Sequence, residues 1–195
     1  MSEHEHYEAI VVGCGPGGAA AAATLAAQGI ETLVLERGVD AGSKNVSGGL
    51  IYAEESAPYT LDSLFPGVRE AATERPVEDH YVHNIAGEKV KTFDIGRLHH
   101  HDTEWCDAVL RRRMDSWLAE QVHERTRETG GGVLTGVRAN GLLREGGQIV
   151  GVTFDELDPI TADVIIAADG VNSELARDAG LMDWEEPEEW FQGVK

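Results

Sequence analysis

Lysine is scarce. Only Lys44, Lys89, Lys91 and Lys195 occur in 195 residues, and lysine and arginine together number 16 against 35 aspartates and glutamates. The formal net charge of -19 argues against a nucleic-acid partner, because binding a phosphate backbone requires a basic surface. At low salt so acidic a surface repels itself, and molar salt screens that repulsion within about 3 Å. The composition therefore predicts adaptation to a salty cytosol, that of a halophile, with an ordinary acidic protein as the alternative. Cysteine is scarcer still. Cys14 and Cys106 make no disulfide framework and no iron–sulfur site, which needs about four thiolates. Cys14 sits inside a glycine turn and reads as a small filler rather than a reactive thiol; Cys106 reads as buried and neutral.

Long apolar runs are also missing. No stretch approaches the ~20 residues of a membrane span, so no integral membrane segment is expected. The acidic, polar opening MSEHEHYEAI lacks a signal-peptide pattern. The expected location is the cytoplasm, with the inner membrane face reached through partners. There is no internal repeat, no low-complexity linker, and no nucleophile with a matching base, which excludes most hydrolase and transferase chemistry. The run His99-His100-His101-Asp102 reads as an exposed loop, because consecutive side chains point in different directions, so no metal site is expected there.

The residues present suffice for one domain with a core: 42% are hydrophobic. Glu8 to Val12 reads as a buried strand. Pro16 to Gln28 reads as an alanine-rich helix with proline in its first turn and a stop at Gly29, and Glu31 to Leu35 as a second strand. This is a βαβ unit of about 30 residues. Residues 38–57 read as a long ligand-contacting loop followed by a short helix. Asp79 to Ile95 suggests a hairpin turning at Ala86-Gly87, and Met114 to Arg127 an amphipathic helix with Met114, Trp117, Leu118, Gln121 and Val122 at helical spacing. Val133 to Thr135 is a strand; Arg138 to Arg144 and Gln148 to Asp155 form a β-meander around Gly146-Gly147. Asp163 to Ala168 reads as a fully buried strand, and Asn172 to Ala179 as a last helix. The segment Trp184 to Lys195 leads toward what looks like another strand, and a longer polypeptide is expected.

Between the first strand and helix lies Gly13-Cys14-Gly15-Pro16-Gly17-Gly18, a G-x-G-x-x-G in strand–turn–helix context. Gly13 permits the tight turn, Gly15 lets the backbone approach a pyrophosphate, and Gly18 lets helix and strand pack closely. Helix-start N–H groups then face phosphate charge. Glu36 follows 23 residues after Gly13, where an acidic residue hydrogen-bonds ribose hydroxyls and disfavours a 2′-phosphate. Arg37 is either a partner for the adenine or a solvated neighbour. These features specify an ADP moiety without separating NAD from FAD. Three others favour FAD: the βαβ unit within ten residues of the N-terminus, the loop Gly42-Ser43-Lys44-Asn45, and the late Ala167-Ala168-Asp169-Gly170-Val171-Asn172-Ser173.

The runs Glu36-Arg37-Gly38, Gly42 to Gly49, Val109 to Leu118 and Ala168 to Ser173, in this order across essentially the whole chain, resemble the flavoprotein family of FixC and the electron-transfer-flavoprotein:quinone oxidoreductases. That resemblance implies an α/β, Rossmann-type FAD-binding fold with a βαβ unit and a β-meander, plus part of an inserted second domain. Residues 1–195 would be the FAD-binding domain, with 55–105 opening a substrate- or partner-facing region. It further implies that Gly13, Gly15 and Gly18 face the FAD pyrophosphate beside Pro16, and Glu36 the ribose. Ser43, Lys44 and Asn45 would pass near the ribityl chain and flavin, and Arg111 would reach the phosphates as a fork donor. Val137 would present backbone groups to the adenine; Asp169 and Gly170 would shape the turn near the cofactor. The implied activity passes electrons from an electron-transfer flavoprotein toward a quinone, with a ferredoxin-like partner. A second Gly-Asp motif of the family falls beyond residue 195. Alternatives on the same fold are a geranylgeranyl-reductase-like reductase of isoprenoid double bonds and a flavin monooxygenase; a non-catalytic nucleotide-binding module is a third reading.

Overall fold

The computed structural model describes residues 4–52, 60–95 and 106–182. The frame starts with strand β1 (His6–Val12), helix α1 (Pro16–Ala27) and strand β2 (Thr32–Glu36). In β1 the residues Ala9 to Val12 are buried, as a strand covered on both faces requires. Small residues on α1, Gly18, Ala19, Ala22 and Ala23, are buried and let the helix lie close to the sheet. The helix ends in a Schellman arrangement: the Ile30 N–H donates to the Leu25 carbonyl at 3.2 Å and the Gly29 N–H to the Ala26 carbonyl at 2.9 Å, with Gly29 at φ 77°.

The chain then leaves the sheet. Strand β3 (Gly48–Tyr52), helices α2 (Leu61–Leu64) and α3 (Val68–Ala72), strand β4 (Arg75–Pro76), the hairpin β5 (Tyr81–Ala86) and β6 (Lys89–Asp94), and strand β7 (Cys106–Leu110) make the excursion. It returns through helix α4 (Arg111–Glu128) and strand β8 (Gly132–Thr135). Strands β9 (Gly141–Glu145), β10 (Gln148–Thr153) and β11 (Ile160–Ala167) and helix α5 (Glu174–Asp178) follow.

The main sheet has six strands in the order β8-β2-β1-β11-β10-β9. β1 pairs in parallel with β2 and β11, and β2 with β8; β9 and β10 pair antiparallel around Gly146-Gly147 as expected, and β10 also pairs antiparallel with β11. Alternation along the strands splits the core in two. Val11 and Val34 face α1 and α4, against Ala19, Ala22, Leu118 and Val122. Ile10, Val12, Leu33 and Leu35 face Ala139, Val152 and Leu175. A smaller sheet, β3-β7-β4, lies apart from it.

Two sequence expectations are corrected. Gly48–Tyr52, within the stretch expected to be a loop and then a short helix, is a strand, because its backbone pairs with the distant β7. β11 is not fully buried: Val164 is 53% exposed, since only part of this strand is covered on its second face. The α4 helix starts at Arg111, three residues earlier than its apolar spacing suggests, and buries Met114, Leu118 and Val122 as expected. Cys14 and Cys106 are both buried. The histidine run at 99–101 and the segment 184–195 lie outside the described residues.

Candidate functional site: the nucleotide cleft

A cleft of about 380 Å³ opens at the carboxyl ends of β1, β2 and β11. β1 sits between β2 and β11, so the chain path turns to opposite sides of it, and open α/β sheets bind ligands at this switch point. Of the residues expected to bind a cofactor, Gly13, Gly15, Glu36, Arg37, Ser43, Lys44, Asn45, Arg111, Val137, Asp169 and Gly170 line it. Pro16 and Gly18 do not line it; they belong to the first turn of α1, which follows Gly15.

The three motif glycines differ in what requires them. Gly13 stands at φ 101°, and a Cβ there would fall 2.3 Å from the Ala168 carbonyl oxygen. A Cβ on Gly18 would fall 1.8 Å from the Gly13 carbonyl oxygen, so the helix cannot pack on its own turn with a larger residue. Gly15, the N-cap, has φ -75° and needs no special backbone freedom. Among the described residues its Cβ would meet only Arg111 Nη2, at 3.9 Å. The protein itself has room there, so the space over Gly15 is a cradle that a side chain would fill. Among the described residues no side chain caps α1, which leaves its first-turn N–H groups facing this space, the arrangement that receives phosphate.

Glu36, at the end of β2, is part-buried. Its Oε2 accepts from the Cys14 N–H at 3.1 Å and its Oε1 from the Gly38 N–H at 2.6 Å. A carboxylate has about four acceptor sites, so lone pairs remain for ribose hydroxyls. The Val137 N–H donates to the Glu36 carbonyl at 3.0 Å and the Gly136 N–H to the Gly38 carbonyl at 2.7 Å. The Val137 amide is therefore committed to the frame, and of its backbone groups only the carbonyl is left for an adenine. Asp169 Oδ2 accepts from the Leu175 N–H at 2.8 Å and so anchors the start of α5; Gly170 takes φ 81°.

Arg111 reaches the cleft, but its fork is engaged. Nε donates to Asp115 Oδ1 at 2.9 Å and Nη2 to Asp115 Oδ2 at 2.8 Å. This bidentate pairing holds the guanidinium above its ordinary pKa. Sequence reasoning missed Asp115, although its place four residues after Arg111 on one helix is the spacing of a helical ion pair. It also missed Arg138 and Glu174, which line the cleft and pair at 2.8 Å. Arg138, with Arg37 and Arg177 adding to it, holds the Glu174 carboxyl below its usual range. No local signal marks that pair, since its members lie 36 residues apart. Burial, reinforced by Glu36 and Asp115, pushes the Cys14 thiol up to about 12, which keeps it a neutral filler. Among the described residues no group of histidine, cysteine and acidic side chains is arranged to hold a metal ion.

An uncapped helix start, a cradle over a glycine that the fold does not require, and an acidic strand end define a dinucleotide-binding protein of the Rossmann class. The sequence profile of the FAD binding domain matches residues 6–193, and the chain belongs to that family, with FAD as its cofactor. Over 193 residues it is 37% identical to the probable electron transfer flavoprotein-quinone oxidoreductase YdiS of Escherichia coli K12, covering 98% of this chain and 43% of that protein. It is 38% identical over 200 residues to protein FixC of Escherichia coli O157:H7, covering 100% of this chain and 44% of that one. FixC of Azotobacter vinelandii is 35% identical over 201 residues, covering 98% and 43%. The chain thus spans less than half the length of these relatives. Among solved structures, a geranylgeranyl bacteriochlorophyll reductase-like protein of Thermoplasma acidophilum superposes with a TM-score of 0.71 at 24% identity, covering 90% of this chain and 42% of that one. The myxobacterial chondrochloren halogenase CndH gives 0.61 at 22%, covering 89% and 39%. At these identities the likeness is one of fold.

Proposed function

We propose that this chain forms the ADP-binding part of a FixC-type, FAD-dependent oxidoreductase that takes electrons from an electron-transfer flavoprotein and passes them toward a quinone, with a ferredoxin-like partner between. The observation that carries the reading is the similarity to FixC proteins and YdiS along essentially the whole chain. FAD, when bound, supplies the electron-accepting and electron-donating chemistry. The chain's own residues bind and orient it. The backbone at Gly13 and Gly15 and the first turn of α1, begun by Pro16 and packed through Gly18, receive the pyrophosphate. Glu36 accepts from the ribose hydroxyls, and Arg37 and the Val137 carbonyl border the adenine. Ser43, Lys44 and Asn45 run beside the ribityl chain, Arg111 faces the phosphates, and Asp169 and Gly170 hold the turn that closes the cleft.

The excursion at 55–105 is the partner-facing region. Its hairpin β5–β6 supports this, with Tyr81, Val82, Ile85, Val90 and Phe93 all between 43% and 68% exposed. Among the described residues no helix is long and apolar enough to cross a membrane, and we place the protein in the cytoplasm, peripheral to the membrane that holds the quinone. A geranylgeranyl-reductase activity has only the fold likeness behind it.

The test is anaerobic stopped-flow of the intact protein with its candidate partner flavoprotein. Bleaching of the flavin absorbance by the reduced partner is expected. Bleaching only by a soluble reductant, with an unsaturated isoprenoid lipid as the sole competent oxidant, would move the assignment to the geranylgeranyl reductases.

A further inference from the structure

We propose that Asp115 is a positioning residue of the nucleotide cleft, whose carboxylate sets the Arg111 guanidinium and the Asn45 amide in place for FAD. The inference rests on FAD occupying this cleft. Asp115 is fully buried on the apolar face of α4, beside Met114 and Leu118. A carboxylate is costly there unless it is paired and hydrogen-bonded. Its pairing converges on two separate parts of the cleft. Oδ1 and Oδ2 take the Nε and Nη2 edge of Arg111, and Oδ2 also accepts from Asn45 Nδ2 at 2.8 Å. The loop is pressed onto the same side chain. Gly42 stands at φ 75°, a Cβ on it would fall 2.8 Å from the Asp115 Cβ, and the Asn45 N–H closes the turn on the Gly42 carbonyl at 2.8 Å.

One buried carboxylate therefore joins loop 42–45 to the start of α4, groups 70 residues apart in the chain. By holding the Nε edge of the guanidinium, Asp115 leaves Nη1, which has no partner among the described residues, as the free donor. Arg111 is otherwise a long side chain with many rotamers, and fixing it before the ligand arrives removes an ordering cost from binding.

Electrostatics and positioning predict opposite signs. If Asp115 acted only as a charge, removing it would make the cleft more positive and tighten its hold on an anionic pyrophosphate. If it positions, removing it weakens binding. The isosteric Asp115→Asn turns one carboxylate oxygen into a donor that opposes the arginine.

The experiment titrates FAD into the intact apoprotein by flavin fluorescence and follows the apo thermal midpoint in parallel. Asp115→Asn is expected to raise the dissociation constant about 10- to 100-fold, the loss of one or two charge-assisted hydrogen bonds. In an Arg111→Ala background the same change should have at most about a threefold effect, because coupled residues do not add. Arg111→Lys, which keeps the charge and loses the fork, should match the Asp115→Asn loss. Binding that is unchanged or tighter in Asp115→Asn overturns the proposal, as does an equal fold-loss in both backgrounds. So does an Asp115→Asn protein that will not fold even with saturating FAD, since the carboxylate would then serve the fold alone. A wild-type intact protein that binds no FAD would instead overturn the cofactor reading on which the proposal rests.

Discussion

The Cys14 amide donates to the Glu36 carboxylate at 3.1 Å, which ties the glycine turn after β1 to the end of β2. The other carboxylate oxygen takes the Gly38 N–H at 2.6 Å. Glu36 thus holds two backbone segments of the cleft while keeping lone pairs for a ribose. Glu36→Ala in the intact protein is expected to weaken FAD binding by about 1.5–3 kcal/mol and to lower apo stability by about 1–3 kcal/mol, because two part-buried N–H groups lose their acceptor. Flavin titration and apo denaturant melts separate the two effects. A lowered melt with an unchanged dissociation constant would reduce Glu36 to a structural cap.

Gly15 and Gly18 should part company under the same substitution. A Cβ on Gly18 meets backbone at 1.8 Å, and backbone cannot move aside without breaking the turn. Gly18→Ala is expected to cost about 3 kcal/mol or more of apo stability. Among the described residues Gly15→Ala meets only Arg111 Nη2, at an ordinary contact distance of 3.9 Å, and should leave apo stability within about 0.5 kcal/mol. With FAD present the order reverses: the Gly15 methyl fills the phosphate cradle and weakens binding about 10- to 100-fold, the cost of an overpacked contact. A Gly15→Ala protein with undiminished affinity would show that the pyrophosphate lies elsewhere.

The contrast explains how much of the molecule was legible in its sequence. The βαβ unit was readable because each signal is local: an apolar run, a glycine turn, a proline in the first helical turn and a glycine stop. Gly13, Gly15, Gly18 and Glu36 were legible from their spacing in a strand–turn–helix context, whereas Ser43 to Asn45, Arg111, Val137, Asp169 and Gly170 came only through the family resemblance. The β3 strand was not readable, since Gly48–Tyr52 is made a strand by pairing with β7 and its own composition does not decide it. The exposure of Val164 was hidden for a related reason, because an apolar run does not say which face is covered. Asp115 is a charged residue on an apolar helix stripe, and only the folded loop at 42–45 reveals why it is buried there.

The buried Cys14 thiol gives the fold an alkaline limit. Its pKa rises to about 12 from an ordinary 9.0, so the native state keeps a proton that the unfolded chain releases from about pH 9 upward. The stabilisation is complete below pH 9 and is lost as pH climbs through 12, at most about 4 kcal/mol. Tyr7, raised from 10.0 to about 12, adds the same sign between those values. Denaturant midpoints of the intact protein should therefore fall steadily above about pH 9. Cys14→Ala should flatten that fall while imposing a small, pH-independent packing cost of about 1 kcal/mol. Equal slopes for the two proteins would mean that Cys14 ionises as freely in the native state as in the unfolded one.

Salt should govern stability more than any single contact. With 35 acidic and 16 basic residues the net charge of -19 is spread over one domain-sized chain. Exposed pairs such as Arg138–Glu174 and Arg144–Asp178 neutralise little of it, and pairs of this kind contribute about 0–1 kcal/mol each. The remaining repulsion acts over distances that molar salt screens to about 3 Å. The thermal midpoint of the intact protein is expected to rise steeply from low salt to molar potassium chloride, by about 2–4 °C for each kcal/mol of repulsion relieved. Salt also strengthens apolar burial, so a charge-specific control is needed. Glu78, Glu88, Glu145 and Glu156 are all exposed. Replacing these four with glutamine removes repulsion without touching the core. The variant should melt higher than the wild type at low salt, and the gap should close as salt increases. A wild-type midpoint that stays flat across that range would refute the halophile expectation, and parallel curves for the two proteins would assign the rise to apolar burial instead of charge.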